Sequence, residues 1–384
     1  MTDVHLPRGF RASGVTAGLK ASGNPDLALI VNDGPDHHAA AVFTSNRVVA
    51  APVTWSRQVL TDGRVDAVVL NSGGANACTG APGFLDTYRT AEHVAQVLGL
   101  SATDVAVCST GLIGERLPMD LLLAGVDVAA AALDTNGHED AARAIMTTDT
   151  VPKQATHAGD GWSLSGLAKG AGMLAPSLAT MLVVITTDAV VEPHDMAASL
   201  RAATSVSFDR IDSDGCQSTN DTVLLLASGA SGARVSRAEL SAAATAVCLD
   251  LARQLIADAE GAHHDIEIEV RSAASVDDAL EVGRSIARNA LFKCAIFGAD
   301  PNWGRVLAAV GTTAARFEPD ELDVSMNGVQ VCRAGGVGQD RTGVDLRART
   351  VHVLVDLHAG TDTATIWTND LTYDYVHENS AYSS

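Results

Sequence analysis

Short runs rich in Val, Ile and Leu recur along this chain, with stretches of helical apolar spacing between them. Such runs, when they are bounded by Gly, Asn, Asp or Ser, are typical of buried β-strands. The pattern predicts strands at residues 27–31, 67–70, 105–108, 181–186, 222–227, 266–270, 351–357 and 363–367.

One helix is marked by its first residues. Ser236 and Glu239 form the Ser-x-x-Glu pattern of a capping box, in which each side chain caps the backbone N–H of the other residue. The apolar positions that follow predict a helix as far as Glu260, with Gly261 in the left-handed position that often ends a helix. A second helix is predicted over residues 87–98.

A third helix is predicted to begin after Ser275 and to run to about Asn289. Because strands and helices do not alternate regularly, the chain is predicted to be α/β or α+β rather than a simple βαβ series. Segments rich in Gly and polar residues at 157–161, 229–232 and 334–343 are expected to be surface loops. No shift in composition marks a domain boundary.

The composition narrows the range of partners. The 384 residues include 26 Lys and Arg against 46 Asp and Glu, a formal net charge of −20. Because there is no basic run, binding to nucleic acid or to an anionic membrane surface is not expected. A small cationic substrate is compatible with this charge. Neither a transmembrane helix nor a signal peptide is expected from the apolar pattern.

The cysteine and histidine pattern argues against disulfides and metals. The cysteines form no Cys-x-x-Cys motif, which favours a reduced, cytoplasmic setting. Adjacent histidines occur at 37–38 and at 263–264, but neighbouring side chains diverge on a strand or a helix, so no metal site is expected. The motifs of P-loops, dinucleotide-binding folds, zinc peptidases and nucleophile elbows are absent.

Three segments dense in Gly, Asn, Ser and Thr follow apolar or helical stretches, at 71–80, 108–114 and 146–150. Loops that follow strands often carry binding and catalytic residues. Small residues let a ligand approach the backbone, and exposed N–H groups stabilise a developing oxyanion. Tight turns without a further role explain each segment equally well when it is taken alone.

Thr180 stands at the entrance to a strongly apolar strand, after Ala179 and a loop that contains Gly and Pro. An internal Thr hydroxyl at such a place is able to attack the preceding carbonyl and cleave the chain. The new N-terminal Thr then carries its own base, because the α-amine titrates near neutral pH. A Thr that simply starts a strand is the alternative.

Taken together, the motifs resemble those of the ornithine acetyltransferases, also called glutamate N-acetyltransferases, of the cyclic arginine pathway. The resemblance runs nearly from end to end and keeps the order of the family's motifs. It is carried by residues 14–18, 42–46, 71–80, 109–114, 146–149, 169–180, 218–222, 300–305 and 378–384.

The resemblance implies self-cleavage between Ala179 and Thr180, which gives an α chain of residues 1–179 and a β chain of residues 180–384. Thr180 would then be the nucleophile that takes the acetyl group from N2-acetyl-L-ornithine and passes it to L-glutamate. The implied fold is an α/β/β/α sandwich, with two sheets packed face to face between helices. The implied assembly is an α2β2 heterotetramer.

The resemblance also implies the site residues. The Thr110 hydroxyl and the Gly111 N–H would form the oxyanion hole. The positions that match the family's substrate-binding residues are Thr147, Lys169, Thr180, Glu260, Asn379 and Ser384. Lys169 suits the substrate α-carboxylate, whereas Glu260 suits either the ornithine δ-ammonium or a positively charged amine near Thr180. Asn220 and Asp221 are candidates for a supporting role.

Several questions stay open at this point. No metal or cofactor is implied, but acetyl-CoA is a candidate second acetyl donor. Where the family usually has Thr or Lys, this chain has His263 and His264, which would change the pH profile if they line the pocket. The alternatives are a self-processing aminopeptidase, an acetyltransferase of the same family in antibiotic biosynthesis, and a binding protein that has kept the fold.

Overall fold

A computed structural model describes residues 4–175 and 181–381 of the chain. Within these two ranges the chain forms fifteen strands and ten α-helices. The strands are β1 (Phe10–Val15), β2 (Leu27–Asn32), β3 (His38–Phe43), β4 (Ala67–Asn71), β5 (Val105–Ser109), β6 (Lys153–Ala158), β7 (Ser163–Lys169), β8 (Leu182–Thr187), β9 (Thr222–Ala227), β10 (Asp265–Ala273), β11 (Asp323–Met326), β12 (Val329–Arg333), β13 (Gly336–Val337), β14 (Thr350–Asp356) and β15 (Asp362–Asn369). The helices are α1 (Ala51–Val59), α2 (Gly80–Leu98), α3 (Met119–Ala131), α4 (His138–Ala144), α5 (Pro193–Ser205), α6 (Arg237–Ala257), α7 (Val276–Ala287), α8 (Ala290–Phe297), α9 (Trp303–Val310) and α10 (Tyr373–Ala381).

The strands form three sheets. Sheet A has the order β1-β2-β4-β5, sheet B has the order β3-β9-β8-β7-β6, and sheet C has the order β13-β12-β11-β14-β10-β15. In sheet A, β4 and β5 are parallel, so the loops that follow both strands leave from the same edge. In sheet B, β8 and β9 are parallel and β7 is antiparallel to β8, so the end of β7 lies beside the starts of β8 and β9.

Sheets A and B pack face to face, and the alternation of side chains along β8 shows how. Leu182 and Val184 belong to a core shared with sheet A, whereas Val183 and Ile185 belong to the core beneath α5 and α6. Successive side chains on a strand point to opposite faces, so a fully apolar strand must be covered on both sides. Helices α1 to α4 pack against sheet A. The predicted mixed α/β sandwich is confirmed.

Sheet C was not part of the two-sheet prediction. It has its own core, formed by alternate residues of β10, β14 and β15 with helices α7, α8 and α9. Ile266, Ile268 and Val270 of β10 face this core, while the intervening Glu267 and Glu269 are only partly buried. One-sided sheets of this kind show the apolar–polar alternation that β10 carries.

All eight predicted strands are present, with small shifts at their ends. The capping box of Ser236 and Glu239 is confirmed, since each group accepts the other's backbone N–H. The prediction that this helix reaches Glu260 is wrong: α6 ends at Ala257, and Gly261 takes a positive φ of 60° in the following turn. Likewise α7 ends at Ala287 rather than near Asn289, because Asn289 caps the next helix.

By length and apolar composition alone, α6 is able to cross a membrane, with a mean hydropathy of 1.3. Half of its apolar window is buried inside the molecule. Leu240, Val247, Leu251 and Leu255 belong to the core beneath sheet B. This packing is typical of the core helix of a globular fold, where one stripe of the helix is buried.

Candidate active site

Thr110 and Gly111 form a turn directly after β5. The Thr110 N–H donates to the Asn71 carbonyl at 2.9 Å, and the Gly74 N–H donates to the Thr110 carbonyl at 3.0 Å. Gly111 has φ of 127°, and a Cβ at this position would lie 2.8 Å from the Gly74 nitrogen. Only glycine fits here, so the turn brings its backbone close to the neighbouring loop.

Lys169 is the last residue of β7, and it places a buried ammonium against this turn. Its side chain is only 2% exposed, and Nζ donates to Thr110 Oγ1 at 3.4 Å. An ammonium has donors only, so Thr110 Oγ1 acts as the acceptor and its own proton stays free to donate elsewhere. Burial lowers the pKa of Lys169, and the charge of Asp149 opposes this effect.

Asp149 connects the lysine to the 146–150 loop. One of its oxygens accepts the Gly170 N–H at 2.6 Å and Lys153 Nζ at 2.7 Å, and the other accepts the Thr147 N–H at 2.9 Å. Burial would raise the pKa of Asp149, but Lys169, Lys153 and these hydrogen bonds outweigh burial and hold it at about 2. Asp149 is therefore a permanent anion in the site.

Glu260 lies on the other side of the 146–150 loop. Its Oε1 accepts the Thr148 hydroxyl at 2.7 Å, and its N–H donates to the Ala171 carbonyl at 3.0 Å. A Cβ on Gly172 would lie 2.6 Å from the Glu260 carboxylate oxygens, so glycine at 172 makes room for this carboxylate. These contacts hold Glu260 against Ala171 and Gly172, which follow Lys169 in the chain.

A cavity of about 690 Å³ opens beside Glu260. Thr147 and Thr148 lie on one wall, and His263, His377 and Glu378 lie on the others. Glu378 faces the same space as Glu260: burial raises its pKa, and the charges of Glu260 and Asp374 raise it further. The lining holds four carboxylates, those of Asp258, Glu260, Asp374 and Glu378, against the one guanidinium of Arg349, so the cavity carries a negative charge that suits a cationic ligand.

The C-terminal helix α10 folds back to form part of this cavity. The Thr372 hydroxyl donates to the Gly261 carbonyl at 2.6 Å, and a Cβ on Gly261 would lie 2.2 Å from the Tyr375 nitrogen. Asn379 is exposed, and its amide donates to the Tyr375 carbonyl within α10. The structure thus brings the tail to the site without bringing the Asn379 side chain into it.

Asn220 joins the two sheets at the site. Its Nδ2 donates to the Ala75 carbonyl at 2.6 Å and to the Ser109 carbonyl at 2.8 Å. The Ser109 hydroxyl in turn donates to the side chain of Asn71. The supporting role predicted for Asn220 therefore has a clear structural basis: a residue before β9 holds the turn that carries Thr110.

Ala179, Thr180 and Ser384 lie outside the described residues. After Thr180, Leu182 is the cross-strand partner of Lys169, and the Met181 N–H donates to Asp221 Oδ1 at 3.1 Å.

The adjacent histidines occupy separate environments. His263 Nε2 lies 2.7 Å from Asp374 at the rim of the cavity, whereas His264 Nδ1 lies 2.7 Å from the buried Asp370. His263 therefore lines the pocket, which is the condition under which the sequence predicted an altered pH profile. Among residues 4–175 and 181–381, no group of three or more His, Cys, Asp or Glu side chains is placed to hold a metal ion.

Sequence reasoning missed several residues that build the site. Asp149 was part of a quoted motif, but its role was not foreseen, and Lys153 and Asp258 were not singled out at all. Lys153 lies four residues after Asp149, and Asp258 comes from beyond α6, so only folding brings these three charges together. No role was assigned to His377 or Glu378, because the sequence could not establish that the C-terminal segment packs against the site.

The fold and this cluster define a mixed α/β protein whose two central sheets pack face to face, with a buried Thr–Lys pair where strands of both sheets end. A model of the ArgJ family matches residues 11–384. The chain belongs to the ArgJ family, which confirms the resemblance found in its motifs.

Two relatives match nearly the whole chain. The arginine biosynthesis bifunctional protein ArgJ of Thermobifida fusca is 65% identical over 99% of this chain and 100% of its own. The protein of the same name from Streptomyces avermitilis is 66% identical over the same shares. The solved ornithine acetyltransferase of Mycobacterium tuberculosis, complexed with ornithine, is 56% identical and covers 47% of this chain and 98% of its own, with a TM-score of 0.45.

Proposed function

We propose that this chain cleaves itself between Ala179 and Thr180 and then transfers the acetyl group of N2-acetyl-L-ornithine to L-glutamate. The observation that carries the proposal is the buried contact between Lys169 and Thr110, with Lys169 paired to Leu182 at the start of β8. The acidic cavity around Glu260 supports it. The names of relatives at 65% and 66% identity place them in arginine biosynthesis and support the same activity.

Self-cleavage needs no second molecule except water. The Thr180 hydroxyl attacks the Ala179 carbonyl carbon, the amide C–N bond breaks, and an ester forms while the nitrogen gains a proton. Water then hydrolyses the ester, which leaves the Ala179 carboxylate and a free α-amine on Thr180. That amine serves as the base for its own hydroxyl in the later steps.

Acetyl transfer follows in two half-reactions. The Thr180 hydroxyl attacks the acetyl carbonyl of N2-acetyl-L-ornithine, and ornithine leaves with a protonated amine. The amine of L-glutamate then attacks the acetyl ester and restores the Thr180 hydroxyl. Both tetrahedral intermediates carry an oxyanion, for which the Thr110 hydroxyl and the Gly111 N–H are suitable donors. Because the acetyl group rests on the protein in between, ping-pong kinetics are expected.

The acidic cavity supports the choice of donor. N2-acetyl-L-ornithine carries a δ-ammonium, and Glu260 and Glu378 face a space large enough for a small amino acid. Acetyl-CoA is proposed as a second acetyl donor, a use suggested by the word bifunctional in the names of the relatives. We also propose that the α and β chains assemble as an α2β2 heterotetramer in the cytoplasm.

Intact mass spectrometry of the purified, denatured protein tests the proposal. Two chains, with the second beginning at Thr180, are expected, and incubation with N2-acetyl-L-ornithine alone should add one acetyl group to that second chain. A Thr180→Ala variant should remain one chain of 384 residues and take up no acetyl group. A wild-type protein that stays uncut, or a Thr180→Ala variant with full activity, would refute the proposed function. An acetyl ester that is hydrolysed by water but does not react with L-glutamate would favour a hydrolase.

A further inference from the structure

Asp221 is a fully buried carboxyl group next to the proposed nucleophile. It precedes β9, and the parallel pairing of Leu182 with Thr222 sets Asp221 beside Met181. Its Oδ1 accepts the Met181 N–H at 3.1 Å. The Met181 nitrogen is covalently bonded to the carbonyl carbon of Thr180, so this hydrogen bond acts one bond away from Thr180.

The surroundings of Asp221 favour its neutral form. The side chain has no exposed surface. Burial raises the pKa of Asp221 well above its ordinary value, and the Met181 N–H, a hydrogen bond from the Ser218 side chain and the charge of Lys169 only partly oppose this. A neutral carboxyl group still accepts an N–H through its carbonyl oxygen.

The hydrogen bond matters most after self-cleavage, so the inference rests on the proposed function. A peptide unit is planar, so an acceptor that fixes the Met181 N–H also fixes the plane that contains the Thr180 carbonyl and Cα. Once the chain is cut, Thr180 becomes a terminus, and terminal residues are poorly ordered unless something ties them down. A nucleophile has to be held within a fraction of an ångström of its attacking position.

We propose that Asp221 is a positioning residue for acetyl transfer: it holds the Met181 amide and thereby keeps the newly formed Thr180 terminus in its attacking geometry. In the uncut chain Thr180 is tethered on both sides, so self-cleavage depends less on this contact than transfer does. Substrate contacts from Thr147 and Glu260 do not involve Asp221, so its loss should lower kcat and leave KM unchanged.

Substitutions that differ in their ability to accept the Met181 N–H test this role. Asp221→Asn keeps an oxygen acceptor and mimics the neutral carboxyl group, and it should retain the wild-type kcat. Asp221→Ala removes the acceptor, and it should lower kcat about 100-fold, as expected when a reacting group is misplaced by about 1 Å. Cleavage is followed by intact mass, and transfer is followed with N2-acetyl-L-ornithine and L-glutamate.

Asp188 provides a matched control at the far end of β8. It is also buried, and its Oδ1 accepts the Ser163 N–H at 2.7 Å. Asp188→Ala therefore removes a similar backbone hydrogen bond, together with contacts to Arg8 and the Ser163 hydroxyl, about 20 Å from the start of the strand. We expect a lower melting temperature in this variant but an unchanged kcat for the folded, cleaved protein.

Each other outcome has a definite meaning. An Asp221→Ala variant that stays uncut while Asp221→Asn cleaves and transfers normally would extend the positioning role to cleavage. The inference fails if Asp221→Ala keeps the wild-type kcat, if Asp221→Asn is as impaired as Asp221→Ala, or if Asp188→Ala loses kcat to the same extent. Failure of the wild-type protein to cleave or to transfer would instead refute the proposed function.

Discussion

The ammonium of Lys169 donates to the hydroxyl oxygen of Thr110 across 3.4 Å, and both side chains are buried. The resemblance to the family suggested that Lys169 binds a substrate carboxylate. In the structure, its ammonium instead donates a hydrogen bond to Thr110. Because the ammonium occupies an acceptor position of the hydroxyl oxygen, the hydroxyl proton is left to point at another acceptor. In the proposed reaction, the acceptor of this proton is the oxyanion of the tetrahedral intermediate.

The first prediction concerns Thr110. Thr110→Val keeps the shape of the side chain and removes its proton, so it should lower kcat for acetyl transfer by about 100-fold to 1,000-fold, the usual cost of one oxyanion donor. Thr110→Ser keeps the hydroxyl and should retain most of the activity. Initial rates with N2-acetyl-L-ornithine and L-glutamate measure both. Equal activity of the Val and Ser variants would exclude Thr110 as an oxyanion donor.

The second prediction concerns pH. Burial lowers the pKa of Lys169 from its ordinary value of 10.5, so this lysine loses its proton at a lower pH than a free lysine does. Acetylation of the protein by N2-acetyl-L-ornithine alone should therefore fall as the pH rises through a value below 10.5. The single-turnover rate is measured by mass spectrometry. Because no L-glutamate is present, its ionisation does not affect the pH profile.

Lys169→Arg is the matching variant for this profile, because a guanidinium stays charged at far higher pH. Whatever rate remains in this variant should not fall over the same alkaline range. If the alkaline fall is identical in Lys169→Arg and the wild type, a group other than Lys169 is responsible for it.

The third prediction concerns stability. Lys153 is fully buried between Asp149 and Asp258, at 2.7 and 2.5 Å. Lys153→Met removes the ammonium that contacts both buried carboxylates, which should cost about 3–5 kcal/mol of unfolding free energy. The measurement is made in the uncut Thr180→Ala background, so that separation of two chains does not enter. Replacing both aspartates by asparagine in the same chain should restore part of the loss.

Arg143 and Glu139 provide the matched surface pair, with the same spacing of four residues but side chains that are 53% and 60% exposed. Arg143→Ala should cost less than about 1 kcal/mol, because water screens an exposed pair. A Lys153→Met variant as stable as Arg143→Ala would show that the buried cluster is not held together by its charges.

The fourth prediction separates the two roles left open for Glu260. If Glu260 binds the δ-ammonium, Glu260→Gln should raise KM for N2-acetyl-L-ornithine about 10-fold to 100-fold, the usual value of a hydrogen bond to a charged group. KM for N2-acetyl-L-norvaline, which lacks the ammonium, should not change. A lower kcat for both donors with an unchanged KM would instead place the effect of Glu260 on the amine of Thr180.

The elements that the sequence predicted and those it missed differ in a physical way. Strands such as β8 and β9 are buried at every position and largely apolar because both faces are covered, and such runs stand out in any sequence. Strands β1, β3, β6 and β7 were missed because they are rich in Ala, Ser and Gly, whose strand tendency is weak. Their pairing in sheets A and B overrides that tendency.

The helix boundaries show the same division. The capping box at Ser236 is a local pattern, so its prediction held. The end of α6 was misplaced because Gly261 is needed for the close approach of Tyr375 and not as the residue that ends the helix. A glycine that ends a helix and a glycine that allows another segment to approach closely are both selected for a φ or a space that only glycine tolerates. The sequence alone does not distinguish these two reasons.

For this protein, the sequence alone determined the family, the mixed α/β class, most of the buried strands and the group of polar residues expected at the site. It did so because apolar runs, caps and motifs are local in the chain. Only the tertiary structure decided that Lys169 contacts Thr110, that Asp149, Lys153 and Asp258 form one buried cluster, and that α10 lines the cavity beside Glu260. These contacts join residues from distant elements, and it is the register of the strands and the packing of the two sheets that bring them together.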